Sequence, residues 1–287
     1  IPALDSCGKL HSPTPRIKGL LIKRRKPVIL WHMLYSIYCT VEIVMLALGL
    51  MCFIALYFIP AGYGKLINKK WGFSFNNKAA WMLMECPTLI VMISLLSVLD
   101  YAHKPVRIAL VSFFLAHYIQ RTLIFPMLLK GNSKMPLSIV SMGMLFNTVN
   151  AFLIGLWIFY FSPAEMYSVR WFVDPRFIVG AALFCAGMFI NIQSDSYIRS
   201  LRSNGDSKHY YPCKGMYRYV TSANYFGELV EWLGFAVLTW SSAGFLFLFW
   251  TACNLVPRSH ALYKKYAQDF PDEFARYKPK RIIPFVY

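Results

Sequence analysis

Two stretches of this sequence place the same kind of polar set inside apolar runs. In GMFINIQSDSYIRSLR (187–202), Asn191 and Asp195 are four apart and Arg202 follows seven later. In SANYFGELVEWLGFAVLTW (222–240), Asn224, Glu228 and Glu231 stand at i, i+4 and i+7. On a helix these spacings put each set on one face. Glu42, Glu85, Tyr118 and Arg121 add polar groups from other apolar runs. A charge at the centre of a membrane span costs about 2.5–3.5 kcal/mol on the insertion scale, so acids kept there signal function first. Helix–helix adhesion is the plainer alternative, with Asn and acid pairing across a bundle. Two matched sets, joined by Glu85, Tyr118 and Arg121, favour a shared polar cavity. Amides and carboxylates suit ribose hydroxyls and a carboxamide, and Arg suits phosphates in bidentate fashion.

Other chemistries fit less well. A di-iron centre wants Glu-x-x-His pairs, and Glu228 is followed by Glu231 where the His would stand. The six His form no HxxH or HxxxH pair, so no metal ligand set is expected. A soluble dinucleotide fold would show G-x-G-x-x-G after a strand. Gly62 to Lys65, GYGK, supplies two glycines without that context, so a dinucleotide would have to be held by the membrane helices themselves. The seven Cys are scattered without a CxxC pair, which signals neither a disulfide framework nor a zinc site.

The elements that position these groups follow from hydropathy. The chain of 287 residues is 57% hydrophobic and only 15% charged, with a mean hydropathy of +0.45. A soluble domain would carry roughly 25% charged residues, so the chain reads as a polytopic membrane protein. Runs near the 20 residues that a span needs fall at about 29–59, 79–99, 106–129, 136–161, 176–198, 223–240 and 243–257. The expected fold is therefore all-α: a bundle of seven transmembrane helices enclosing a cavity, with 29–258 as its body. Residues 1–28 read as a polar, basic extension without the apolar core of a signal peptide, and 259–287 as a C-terminal tail. The net charge of +17 lies almost wholly between the apolar runs. There it attracts anionic headgroups and sets orientation rather than binding nucleic acid. Loops on the C-terminal side hold more Lys and Arg, which places the C-terminus in the cytoplasm.

Longer motifs resemble a known family. GMFINIQSDSYIRSLR (187–202) and YRYVTSANYFGELVEWLGFAVLTWS (217–241) look like two blocks of the steroid 5α-reductases, the 3-oxo-5α-steroid 4-dehydrogenases. PAGYGK (60–65), AAWMLMECP (79–87) and HYIQRTLIFP (117–126) resemble N-terminal motifs of the same family. The resemblance spans about 60–287 and implies an enzyme of steroid and lipid metabolism in the endoplasmic reticulum or, in a bacterium, the inner membrane. It implies NADPH held by Arg121, Asn191, Asp195, Arg202, Asn224 and Glu228, with Arg258, His260 and Tyr263 from the tail. Glu231 would hold its helix in place.

The implied reaction reduces the C4–C5 double bond of a 3-oxo-Δ4-steroid. Glu85 and Tyr118 would be the catalytic donors to the C3 oxygen, where negative charge develops. The implied partners are the steroid, NADPH and membrane lipid, with no obligate protein partner. Three departures from the family pattern stand out. Met84 replaces a Gln whose hydrogen bond would orient Glu85, Phe125 replaces a Tyr, and the tail brings Arg258 and His260 closer together. Reductases of polyprenols or enoyl thioesters share the C-terminal blocks. DEFARYKPKRIIPF (272–285) loosely resembles the ending of isoprenylcysteine methyltransferases, which would take S-adenosylmethionine instead. A transporter or receptor would need a vectorial path or a signalling partner, and neither is suggested.

Overall fold

The computed structural model describes residues 26–59, 62, 71–99, 104–130, 133–163, 165–202 and 210–287. Most of the expected N-terminal extension and of PAGYGK lies outside the described residues. Helices dominate: α1 (Lys26–Phe58), α2 (Asn77–Val98), α3 (Pro105–Ile119), α4 (Phe125–Leu128), α5 (Leu137–Leu156), α6 (Pro175–Ser200), α7 (Ala223–Thr239), α8 (Ser242–Asp269) and α9 (Pro271–Tyr277). Five helical segments among the described residues are long and apolar enough to cross a membrane: Ile29–Phe58, Asn77–Val98, Pro105–Leu128, Leu137–Phe161 and Pro175–Ser200. The chain is thus an all-α polytopic membrane protein. The other two expected spans are α7, at 17 residues, and α8, whose 28 residues turn polar in their second half.

A small antiparallel sheet departs from the all-helical expectation. Strands β1 (Ser74–Asn76) and β2 (Lys134–Pro136) pair Ser74 with Pro136 and Asn76 with Lys134. Each strand runs directly into a helix, so α2 and α5 start at the same level and run side by side. Asn76 caps α2 by accepting from the Lys78 and Ala79 N–H groups, at 2.8 and 3.4 Å. Gly143 on α5 leaves room for the Met84 side chain, and Gly155 for Leu95 and Met92. The register along this pair brings Asn147 opposite Glu85.

Between α3 and α4 the chain widens into a π turn at Gln120–Ile124, closed by the Phe125 N–H on the Gln120 carbonyl. Pro126 has no N–H to give to Thr122, and a widened turn is one way a helix absorbs such a gap. Arg121 sits on this turn, where π turns often mark functional sites. Helix α6 begins with Pro175 after Asp174, whose carboxylate accepts from the Arg176 backbone at 2.9 Å. Hydrogen bonds from the Arg176 side chain and backbone hold the Asp174 carboxyl down at about 2. That cap therefore persists until the pH falls through about 2.

Helices α6 and α7 meet along four glycines. A methyl group at Gly187 would collide with the backbone of Glu231 and Gly227, and one at Gly227 with that of Asn191 and Gly187. Gly180 and Gly234 make the same contact one heptad away, against Leu238 and Phe184. Small residues let helix backbones touch in a membrane, where apolar burial supplies little drive. At the far end of α7, Tyr167 and Trp171 donate to the Thr239 and Leu238 carbonyls, at 2.5 and 3.0 Å. Trp240 then ends the helix in the left-handed region, with φ 46°.

We expect Gly227→Ala to force α6 and α7 apart at a cost of about 1–3 kcal/mol. The thermal midpoint of the purified protein in detergent should fall accordingly. An unchanged midpoint would show that the contact is loose.

Candidate active site

The α6–α7 contact brings the two sequence sets together. Asn191 donates to the Asn224 carbonyl at 2.9 Å, and Asn224 donates to Asp195 Oδ1 at 3.0 Å. Arg121 reaches across from the π turn to Asp195 Oδ2 at 3.2 Å. Its guanidinium lies 4.8 Å from the centre of the Trp81 ring and 4.5 Å from that of Phe125. Phe125, one of the departures, therefore supplies a face for cation–π contact. Tyr217 completes the group by donating to Asn224 Oδ1 at 3.3 Å.

Glu228 is half-buried beside this group and receives no hydrogen bond from the described residues. Its nearest charges are Arg121, His117, Glu231 and Asp195. The Nη1 atom of Arg199, buried near Arg121 and Asp195, also has no hydrogen-bond partner among the described residues. Arg202 stands at the end of α6, where its carbonyl accepts from Lys130 Nζ at 3.2 Å. No group of three or more His, Cys, Asp or Glu among the described residues is arranged to hold a metal ion.

Glu231 turns away from this group to His117 on α3. Its Oε1 lies 2.8 Å from His117 Nδ1, and both residues are buried. The His117 ring packs against Trp232, with centroids 4.5 Å apart.

Glu85 and Tyr118 come together through a residue that the sequence reading passed over. Asn147 donates to Glu85 Oε2 at 2.9 Å and to the Met84 carbonyl at 2.8 Å, and accepts from the Tyr118 hydroxyl at 3.4 Å. Met84 cannot give Glu85 the hydrogen bond that a Gln would; Asn147 on α5 donates one instead. Thr88 and Asn150 also flank the Tyr118 hydroxyl. Glu85 lies within electrostatic reach of Arg121, His117 and Glu228, so the two polar groups adjoin.

The tail residues divide. Arg258 Nε donates to the Tyr225 hydroxyl at 2.6 Å, one residue after Asn224. His260 and Tyr263 belong to a separate cluster built around Arg281. Arg281 donates from Nε to His260 Nδ1 at 3.1 Å and lies over the Tyr263 and Tyr287 rings. The last strand-like residues of the tail bond to the segment entering α7, with the Thr221 N–H on the Lys280 carbonyl at 2.9 Å and the Ser222 N–H on Arg281 at 3.2 Å. Besides Asn147, the sequence reading missed His117, Tyr217, Tyr225 and Arg281. Asn147 was open to discovery by the rule applied to the acids, since Asn147 and Asn150 are amides inside an apolar run.

Residues 133–287 match the family model for 3-oxo-5-alpha-steroid 4-dehydrogenase. The chain is 36% identical to 3-oxo-5-alpha-steroid 4-dehydrogenase 1 of Bos taurus, over 84% of its own length and 93% of the relative's. It is 38% identical to the human protein of the same name over 73% of this chain and 80% of that one. The steroid 5-alpha-reductase of Gossypium hirsutum is 35% identical, with 87% and 96% covered. The chain belongs to the 3-oxo-5-alpha-steroid 4-dehydrogenase family. It is accordingly an oxidoreductase acting on a CH–CH group.

Leaving a buried polar group without its hydrogen-bond partner costs about 1–3 kcal/mol. His117→Leu should therefore lower the thermal midpoint clearly, and adding Glu231→Leu should recover part of the loss. A double variant as unstable as the sum of both singles would mean that the pair is not coupled.

Proposed function

We propose that this chain reduces the C4–C5 double bond of 3-oxo-Δ4-steroids, such as testosterone or progesterone, with NADPH, giving 5α-dihydro products. The observation that carries this reading is the adjacency of two groups: the Glu85–Asn147–Tyr118 cluster and, three residues along from Tyr118, Arg121 with Asp195 and Asn224. A carbonyl-polarising pair thus sits beside groups that suit a nucleotide.

The residues fit the cofactor. Among the described residues, buried Arg199 Nη1 has no hydrogen-bond partner and Glu228 receives no hydrogen bond, so a donor and an acceptor could meet phosphate and hydroxyl groups. We assign Arg121, Asn191, Asp195, Arg202, Asn224 and Glu228 to NADPH, with Arg258 bracing α7 through Tyr225. His260 and Tyr263 would act at the outer edge, beside Arg281. NADPH, when bound, supplies a hydride.

The chain's own residues handle the carbonyl. As C5 of the steroid becomes saturated, negative charge gathers on the C3 oxygen. Glu85 and Tyr118, aimed there from a site away from water, donate hydrogen bonds to it. A carboxylic acid kept from water can stay protonated and serve as such a donor. C4 then takes a proton. The reading places seven spans in the membrane, the short α7 and the apolar half of α8 included, with the C-terminus in the cytoplasm. The compartment would be the endoplasmic reticulum in a eukaryote and the inner membrane in a bacterium.

The test is NADPH oxidation by purified protein in detergent with progesterone, and separately with a polyprenal-type enone and an enoyl thioester. Saturated 5α-steroid by mass spectrometry is the expected product. Turnover of an enoyl lipid alone would keep the cofactor and overturn the substrate. Glu85→Gln should lose most turnover, because an amide donates more weakly to the developing charge; near-normal kcat would remove Glu85 from the mechanism. Arg202→Ala should raise the KM for NADPH far more than that for steroid. Equal effects on both would make Arg202 structural.

A further inference from the structure

Asn147 makes more of its amide than a helix contact requires. Its Nδ2 carries two hydrogens, one directed to the Met84 carbonyl at 2.8 Å and one to Glu85 Oε2 at 2.9 Å. A backbone carbonyl can only accept, so the atom facing Met84 must be the NH2 end and the amide cannot be flipped. Glu85 Oε2 is then an acceptor, and a proton on Glu85 belongs on Oε1. At its other end, Asn147 Oδ1 accepts from Tyr118 at 3.4 Å, a long hydrogen bond that is easily exchanged. All three side chains are buried, so water does not compete for these contacts.

We propose that Asn147 is the positioning residue of the site: it fixes Oε1 as the proton-bearing oxygen of Glu85 and holds the Tyr118 hydroxyl until a substrate carbonyl takes it over. This rests on the reading of Glu85 and Tyr118 as the carbonyl-polarising pair. One amide therefore performs two tasks. It prevents Glu85 from sharing its proton between both oxygens, and it keeps the phenol turned toward its own Oδ1. The Met84 carbonyl anchors the amide to the backbone of the same helix that carries Glu85. The three residues consequently move together if α2 and α5 shift. The polar contacts also explain why α5 keeps Asn147 in an otherwise apolar stretch, where an unpartnered amide would be unfavourable.

The experiment compares Asn147→Leu, Tyr118→Phe, Glu85→Gln and the Asn147→Leu/Tyr118→Phe double variant. It reads kcat, both KM values, NADPH affinity by fluorescence and the thermal midpoint. Asn147→Leu should lower kcat about 10- to 100-fold and leave NADPH affinity within about 2-fold, because residues acting as one unit lose function together. For the same reason it should cost less than about 3-fold more on top of Tyr118→Phe. A kcat within about 2-fold of the unmodified enzyme, or a full multiplicative loss in the double variant, would overturn the proposal.

Should Asn147→Leu fail to bind NADPH or fold, Asn147→Asp keeps the volume but gives up the fixed N–H donors. Its kcat–pH profile should move by at least about half a unit, since the donor's environment sets that profile. An unmoved profile with normal kcat overturns the proposal as well. Full turnover in Glu85→Gln and Tyr118→Phe would instead defeat the reading of the pair itself. Loss in those two with retention in Asn147→Leu would defeat only the role of Asn147.

Discussion

The contact between α6 and α7 is the constraint on which the rest of the site depends. Gly187 and Gly227 bring the two backbones so close that a single methyl group would not fit. Only at that separation can Asn191 reach the Asn224 carbonyl and Asn224 reach Asp195. Longer side chains at the interface would hold the helices apart, and the two polar sets would face separate gaps. The glycines therefore convert a sequence pattern on two helices into one polar surface.

That surface lies inside a membrane protein, where each charge needs a reason to stay. Arg121 answers Asp195, and His117 answers Glu231. The first joins the π turn after α3 to α6 and the second joins α3 to α7, so the pairings also fix this segment against the α6–α7 unit. The π turn makes this possible by rotating Arg121 toward Asp195 while Tyr118, before the turn, faces Asn147. Glu228 and Arg199 Nη1, beside that surface, have no hydrogen-bond partner among the described residues. Open donors and acceptors beside that surface suit a polar ligand.

Much of this was legible in the sequence because helical spacing turns positions into faces. Asn191 with Asp195, and Asn224 with Glu228, could be assigned to one side of each helix without knowing what lay opposite. Of the seven apolar runs, five coincide with helices long and apolar enough to cross a membrane. The short β1–β2 pair was not legible, since three-residue strands leave no periodic signal. Nor was Asn147, whose partners lie 62 and 29 residues away in the chain. A substitution such as Met84 reads as a loss when only neighbours in sequence are considered. Its compensation comes from another helix, and nothing in the order of residues shows which helix that is. The tail is similar: the proximity of Arg258 and His260 along the chain does not reveal that one turns to Tyr225 and the other to Arg281.

The central claim is that these helices hold a nucleotide hydride donor against C5 of a steroid whose C3 oxygen faces Glu85 and Tyr118. The most direct measurement supplies NADPH deuterated at C4 of the nicotinamide, on each face in turn, with progesterone and purified protein. The product is then examined by mass spectrometry and NMR. The account predicts one deuterium at C5, on the α face, from one of the two labelled forms, with the hydrogen at C4 coming from solvent. Deuterium at C4, or saturated product without label from either form, would contradict it.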